Sequence, residues 1–226
     1  MTAPAWLRGL EHASLVDRSH TNPVLDRQAP EGATSRDAAV LVLFSGSDAD
    51  DVPEDADVLL TQRASSLRQH SGQVAFPGGA ADPGDDGPIG TALREAVEET
   101  GLDPSGVEPL ATLDPIYVPP SGFVVTPVVA FWRTPSRIGV VDTAETERVV
   151  RVKLSELLDP ARRFVVRHPL GYQGPAFGVD EMLVWGFTAG ILSGVFDSMG
   201  WGTPWNTDDI RDLDASIEAA GAGMQQ

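Results

Sequence analysis

Apolar and polar positions divide the chain into short runs with two different periods. "AAVLVLF" (Ala38 to Phe44) and "DVLLTQR" (Asp57 to Arg63) are apolar, β-branched runs that predict strands. "QVAF", "VEPLATL", "GFVVTPVVAFW", "RVVRVKL" and "EMLVWGF" read the same way. Between "QVAF" and "VEPLATL" the period changes. Ile89, Leu93, Ala96 and Val97 recur at helical spacing and predict an apolar stripe. Pro88 suits the first turn of such a helix, where its missing N–H is not needed. Gly101 is a natural stop, because glycine takes the left-handed terminal conformation without penalty. "SELL" and "TAGILSGVF" predict further helices, and "NTDDIRDLDASIEAA" a capped terminal one. Strands interleaved with helices over one core predict an α/β fold, an α/β/α sandwich around a mixed β-sheet. The main domain is read as residues 38–220. Residues 1–37 form an N-terminal extension, its first 30 or so loosely ordered, and 221–226 a disordered tail.

The predicted helix carries Glu95, Glu98 and Glu99 in its last two turns, at i, i+3 and i+4. This spacing brings the three side chains together, roughly opposite the apolar stripe. The arrangement is locally unfavourable. Like charges at these spacings repel, and a helix C-terminus favours cations. Arg94 can neutralise part of the cluster through Glu98, but not three carboxylates. A hard divalent cation can, and clustered carboxylate oxygens are what Mg²⁺ or Mn²⁺ takes as ligands. A solvated acidic helix face is the plain alternative. "DPGDDG", Asp82 to Gly87, suggests a calcium loop, but its third and twelfth positions hold Gly84 and Leu93 and the bidentate ligand is missing.

"REAVEETGL", with "PGG" ahead of it, resembles the second half of the Nudix box, which places Arg94, Glu95, Glu98, Glu99, Gly101 and Leu102 without gaps. Ala96 is small for its aliphatic position. The first half departs. The loop after Gly79 is one residue longer than the general pattern, and Asp85 or Asp86 stands where a glutamate is expected. "LLTQRASSLRQHSGQVAFPGG", Leu59 to Gly79, is similar to the signature of coenzyme A pyrophosphatases within that family, with Ala64 in place of serine. That subfamily carries the longer loop and "TALREA", Thr91 to Ala96. "MLVWGFTAGIL" also resembles its C-terminal segment.

The remaining composition agrees with an enzyme of this kind. The chain has 226 residues, 42% of them apolar and none cysteine, so disulfides and thiol chemistry are excluded. The longest uncharged stretch, "MLVWGFTAGILSGVF", has 15 residues, short of the roughly 20 a bilayer span needs. With no signal peptide evident in Met1 to Asp37, a cytoplasmic location away from membranes is expected. Thirty-three acids against 16 bases give a net charge of −17, which disfavours a nucleic-acid face. An anionic substrate then needs local positive charge. Fifteen of the 16 bases are arginine, whose fork matches phosphate, though a GC-rich genome explains the bias equally well. The acidic run "SGSDADDVPEDA" reads as a solvated loop.

The resemblance implies a hydrolase of nucleoside diphosphate derivatives. Mg²⁺ or Mn²⁺ held by Glu95, Glu98 and Glu99 would offset the pyrophosphate charge and activate water. Glu95 and Glu99 are the first choice as direct ligands, with Glu98 a further or water-mediated one. Gly78 and Gly79 would admit backbone close to metal or substrate, with the Gly79 carbonyl as a further donor. Arg94 would orient the acids. The general base is a box glutamate or an acid on a later loop, Glu145 or Glu147, with Glu145 preferred. Arg63 and Arg68 would meet substrate phosphates. The small-molecule substrate expected is coenzyme A or a derivative, split into 3′,5′-ADP and 4′-phosphopantetheine. A homodimer is left open. The alternatives are another Nudix substrate, such as ADP-ribose, a dinucleotide or an oxidised nucleotide, or a non-catalytic nucleotide-binding Nudix domain. Intact box glutamates favour the enzyme.

Overall fold

The computed structural model describes residues 3–12, 15, 22–25, 27–32, 34–64, 72–119 and 121–222. The main sheet holds eight strands: β1 (Arg36–Ser45), β2 (Asp57–Arg63), β3 (Val74–Ala75), β4 (Gly78–Ala80), β5 (Val107–Thr112), β6 (Ile116–Val118), β7 (Phe123–Trp132) and β8 (Thr146–Lys153). β1 runs parallel to β7 along nine residue pairs and antiparallel to its other neighbours, so the sheet is mixed. Helix α1 (Gly87–Thr100) lies between β4 and β5, and the short α2 (Leu154–Leu157) follows β8.

Strand alternation splits the interior into two cores. Ala39, Leu41 and Leu43 of β1 face α1, together with Ala92, Ala96 and Trp132. Val42 and Phe44 face the other way. They meet α3 (Gly186–Met199) and a second, four-stranded sheet of β9 (Arg163–Arg167), β10 (Gln173–Val179), β11 (Met182–Val184) and β12 (Ile210–Asp212). Helix α4 (Leu213–Ala222) closes the outer face of that sheet through Leu213. The result is the α/β/α sandwich around a mixed sheet that the pattern predicts, with a second small sheet added.

Several local features differ from the pattern. The opening residues are not loosely ordered throughout. A 3₁₀ helix at Ala5–His12 buries Trp6, Leu7 and Leu10 in the core, and the Trp6 ring lies 5.4 Å from Trp201 and 6.3 Å from Phe44. The final predicted helix begins later, because Ile210–Asp212 forms a strand parallel to β9. "RFVVR" and the run from Gln173 to Val179 are strands that the pattern did not single out. "EMLVWGF" splits at Trp185, where strand gives way to helix. Of the tail, residues 221 and 222 belong to α4, and 223–226 lie outside the described residues.

Candidate active site

Helix α1 begins after Asp86 with Pro88 in its first turn. It ends at Gly101, whose φ of 70° is left-handed and whose N–H donates to the Val97 carbonyl. Both boundaries match the sequence. The buried face matches in part, since Ala96 is buried and Leu93 packs against the same core. Ile89 and Val97 are exposed, while Thr91, Ala92, Ala96 and Thr100 are buried. Small residues at the contact let the helix axis approach the sheet closely. The three acids are therefore not opposite the packed face. Glu95 and Glu99 flank it and point toward β4.

There they meet the two glycines. β4 pairs with β1 through Gly78 opposite Val40 and Gly79 opposite Ala39. The Gly78 N–H donates to Glu99 Oε2 at 3.3 Å. A Cβ at Gly78 would lie 2.7 Å from the Val40 Cα, and one at Gly79 would lie 2.6 Å from the Glu95 carboxyl carbon. Glycine is thus needed at Gly78 for close approach of backbone, whereas a side chain at Gly79 would displace the Glu95 carboxylate.

Arg94 gathers the acids from the solvent side. Its Nη1 lies 3.0 Å from Glu95 Oε1 and 3.1 Å from Glu98 Oε2. Its Nη2 donates to the Ala80 carbonyl at 2.9 Å. Its Nε and Nη2 donate to the two oxygens of Asp85, at 2.9 and 3.1 Å. Asp85 also accepts from the Thr91 hydroxyl at 2.8 Å and the Asp82 N–H at 2.9 Å. This answers a question the sequence left open. Of the two loop acids aligned with the expected glutamate, Asp85 is the one joined to Arg94, while Asp86 precedes α1 and makes no capping bond with its side chain. The register of a loop one residue too long could not decide between them.

The electrostatics follow from this packing. The Arg94 guanidinium, then the Asp82 N–H, hold the Asp85 carboxyl well below the ordinary carboxylate range, and Asp85 in turn strengthens Arg94 as a cation. Burial raises Glu95, opposed by Arg94. Burial raises Glu99 further, to about 7. The Gly78 N–H and Arg63 oppose that rise, and the charges of Glu95 and Glu145 add to it. Both Arg63 and Glu145 thus act on Glu99 through charge, and the chain's path brings the two near each other, the Glu145 carbonyl accepting from the N–H of Ala64 at 2.9 Å. Arg63 Nε is buried without a hydrogen-bond partner among the described residues. The chain brings Gly78, Gly79, Glu95, Glu99, Arg94, Arg63 and Glu145 to one end of the sheet. Arg68 lies outside the described residues.

The donor set suits a hard divalent cation at Glu95 and Glu99: two carboxylates, partly desolvated and mutually repelling, beside closely packed backbone. Glu98, 57% exposed, is turned to Arg94. Among the described residues no three Asp, Glu, His or Cys side chains are gathered closely enough to hold an ion together.

A family model described as NUDIX domain matches residues 34–169. A Citrobacter koseri protein named uncharacterized Nudix hydrolase NudL is 42% identical over 142 residues, covering 60% of this chain and 71% of that one. A Yersinia pestis protein of the same name is 38% identical over 164 residues, covering 71% and 78%. Among solved structures, the M. smegmatis Nudix hydrolase RenU matches at a TM-score of 0.50 and 20% identity, over 76% of this chain and 89% of that one. That likeness concerns the fold alone.

Proposed function

The chain belongs to the Nudix family, and from that premise we propose that it cleaves the pyrophosphate of coenzyme A or its derivatives, releasing 3′,5′-ADP and 4′-phosphopantetheine. The observation that carries the substrate is the run "LLTQRASSLRQHSGQVAFPGG". Its two ends converge on the site. Arg63 at the end of β2 acts on Glu99 through its charge, and on β4 the Gly78 N–H donates to Glu99 while Gly79 packs against Glu95.

The divalent ion that Nudix hydrolases use would bind Glu95 and Glu99 and would supply charge neutralisation of the diphosphate and a more acidic water. The chain's own groups do the rest. Gly78 and Gly79 admit Glu95 and Glu99 to the backbone of β4. Arg94, fixed by Asp85, holds Glu95 in place and keeps Glu98 at the rim. Arg63, half-buried, would offer its guanidinium to a phosphate oxygen. Glu145 would receive a proton from the attacking water, with Glu147 or a box glutamate as the other choices.

Incubation with coenzyme A and Mg²⁺ or Mn²⁺, followed by mass spectrometry, tests the reading. Equal amounts of 3′,5′-ADP and 4′-phosphopantetheine are expected. Intact coenzyme A after prolonged incubation with either metal would refute it.

A further inference from the structure

The strand that positions Gly79 through Ala39 has its other end at Ser45, six residues on, which is about 20 Å of extended chain. A cavity of about 460 Å³ lies there, in the size range of small-molecule sites. Ser45, Ser47, Asp55, Asp57, Trp132, Arg133, Arg151 and Lys153 line it. Three of the chain's 16 bases meet here beside two aspartates, and one of the three, Arg133, is ion-paired with Glu108. Another, Lys153, is the chain's sole lysine.

An inventory of donors and acceptors indicates what would fit. The acceptors are used. Asp57 takes the Arg151 Nε at 3.1 Å, the Arg151 Nη2 at 2.8 Å and the Ser45 hydroxyl at 2.5 Å. Asp55 takes the Ser47 N–H at 3.0 Å and the Ser47 hydroxyl at 2.5 Å. Donors remain. Lys153, an exposed side chain, makes one hydrogen bond among the described residues, to the Asp55 carbonyl at 3.3 Å, and an ammonium has three N–H groups. Arg151 spends Nε and Nη2 on Asp57 and Ser45 while its guanidinium lies 5.5 Å from the centre of the Trp132 ring, and Nη1 makes no hydrogen bond among the described residues. Surplus cationic donors with satisfied acceptors call for a ligand that accepts.

We propose that this cavity is a second binding site, for the phosphate group of a small phosphorylated molecule, with Lys153 and Arg151 as its cationic contacts. The claim is independent of which pyrophosphate the first site cleaves.

The sole lysine makes the test specific. A lysine-selective acylating reagent can mark Lys153 and otherwise only the N-terminal amine, and peptide mass spectrometry separates the two. Inorganic phosphate and AMP are the probes, with chloride at equal ionic strength as the control. At saturating probe, labelling of Lys153 should slow at least about fivefold while the N-terminus is unaffected. Protection by phosphate identifies the free oxyanion as sufficient, and protection by AMP alone identifies a phosphomonoester. Calorimetry on Lys153→Met should show binding weakened about tenfold, with hydrolysis in the absence of phosphate unchanged. Unaltered labelling of Lys153 with both probes would overturn the proposal, as would undiminished binding by Lys153→Met.

Discussion

Gly79 of β4 and Glu95 of α1 touch so closely that a single methyl group on the glycine would fall 2.6 Å from the Glu95 carboxyl carbon. Gly79 does not have a positive φ, so alanine is tolerated by the backbone there. Gly79→Ala should therefore act on the Glu95 side chain alone. We expect kcat to fall about 100-fold, as displacements near 1 Å at a reacting centre do, with little change in the metal-free melting temperature. Full activity in this variant would show that the position of Glu95 is not critical.

The Asp85–Arg94 pair separates the two loop aspartates. From sequence, Asp85→Asn and Asp86→Asn are both expected to cost far less activity than Glu95→Gln. The bidentate pair changes that ordering. Asp85→Asn should lower activity about 10- to 100-fold, the range for groups that hold a ligand's own partner, and lower the melting temperature. Asp86→Asn should do neither. Equal kinetics for the two variants would remove the positioning role of Asp85.

Glu99 links pH to stability. Its pKa rises from the ordinary 4.5 to about 7 in the metal-free fold, chiefly through burial. Between those values the folded chain binds a proton that the unfolded chain has released. Stability of the metal-free protein must then fall as pH rises from about 4.5 to 7, by on the order of 3 kcal/mol from this group. Urea denaturation in EDTA should show the decline, and Glu99→Gln should flatten it. Mg²⁺ or Mn²⁺, which binds the ionised form, should restore stability most strongly above pH 7, and Glu99→Gln should lose most of that gain. A metal-free stability that climbs through this window would contradict the buried placement of Glu99.

Arg63 bears on substrate choice. Its charge acts on Glu99, and the proposed reading therefore gives it a phosphate near the scissile bond rather than the remote 3′-phosphate of coenzyme A. Arg63→Ala should slow coenzyme A and dephospho-coenzyme A alike, by about 10- to 150-fold in kcat/KM for a lost charge-assisted contact. A loss confined to coenzyme A would place the 3′-phosphate on Arg63 instead.

The ends of α1 were legible because Pro88 and Gly101 are local signals whose backbone demands do not depend on the rest of the fold. The nearness of Glu95 and Glu99 was legible from their spacing, although the three acids do not gather into one ion site among the described residues. Their orientation was not legible. The predicted stripe runs through Ile89, Leu93, Ala96 and Val97, yet the sheet keeps Ala96 and adds Ala92 while Ile89 and Val97 are exposed, and the small residues bring Glu95 and Glu99 against β4. The choice of Asp85 over Asp86 depends on where a loop of non-standard length turns, which spacing alone does not record. Trp6 shows the same limit. Its burial depends on Trp201, nearly two hundred residues away, and short apolar runs near a terminus carry no sign of such partners.

The substrate is the central claim, and one comparison of rates tests it most directly. With Mg²⁺ and again with Mn²⁺, kcat/KM should be measured side by side for coenzyme A, ADP-ribose and a diadenosine polyphosphate. The account predicts that coenzyme A is hydrolysed fastest, by about tenfold or more, the size of a single charge-assisted contact to a group the others lack. A higher kcat/KM for ADP-ribose or the dinucleotide under the same metal conditions would contradict it.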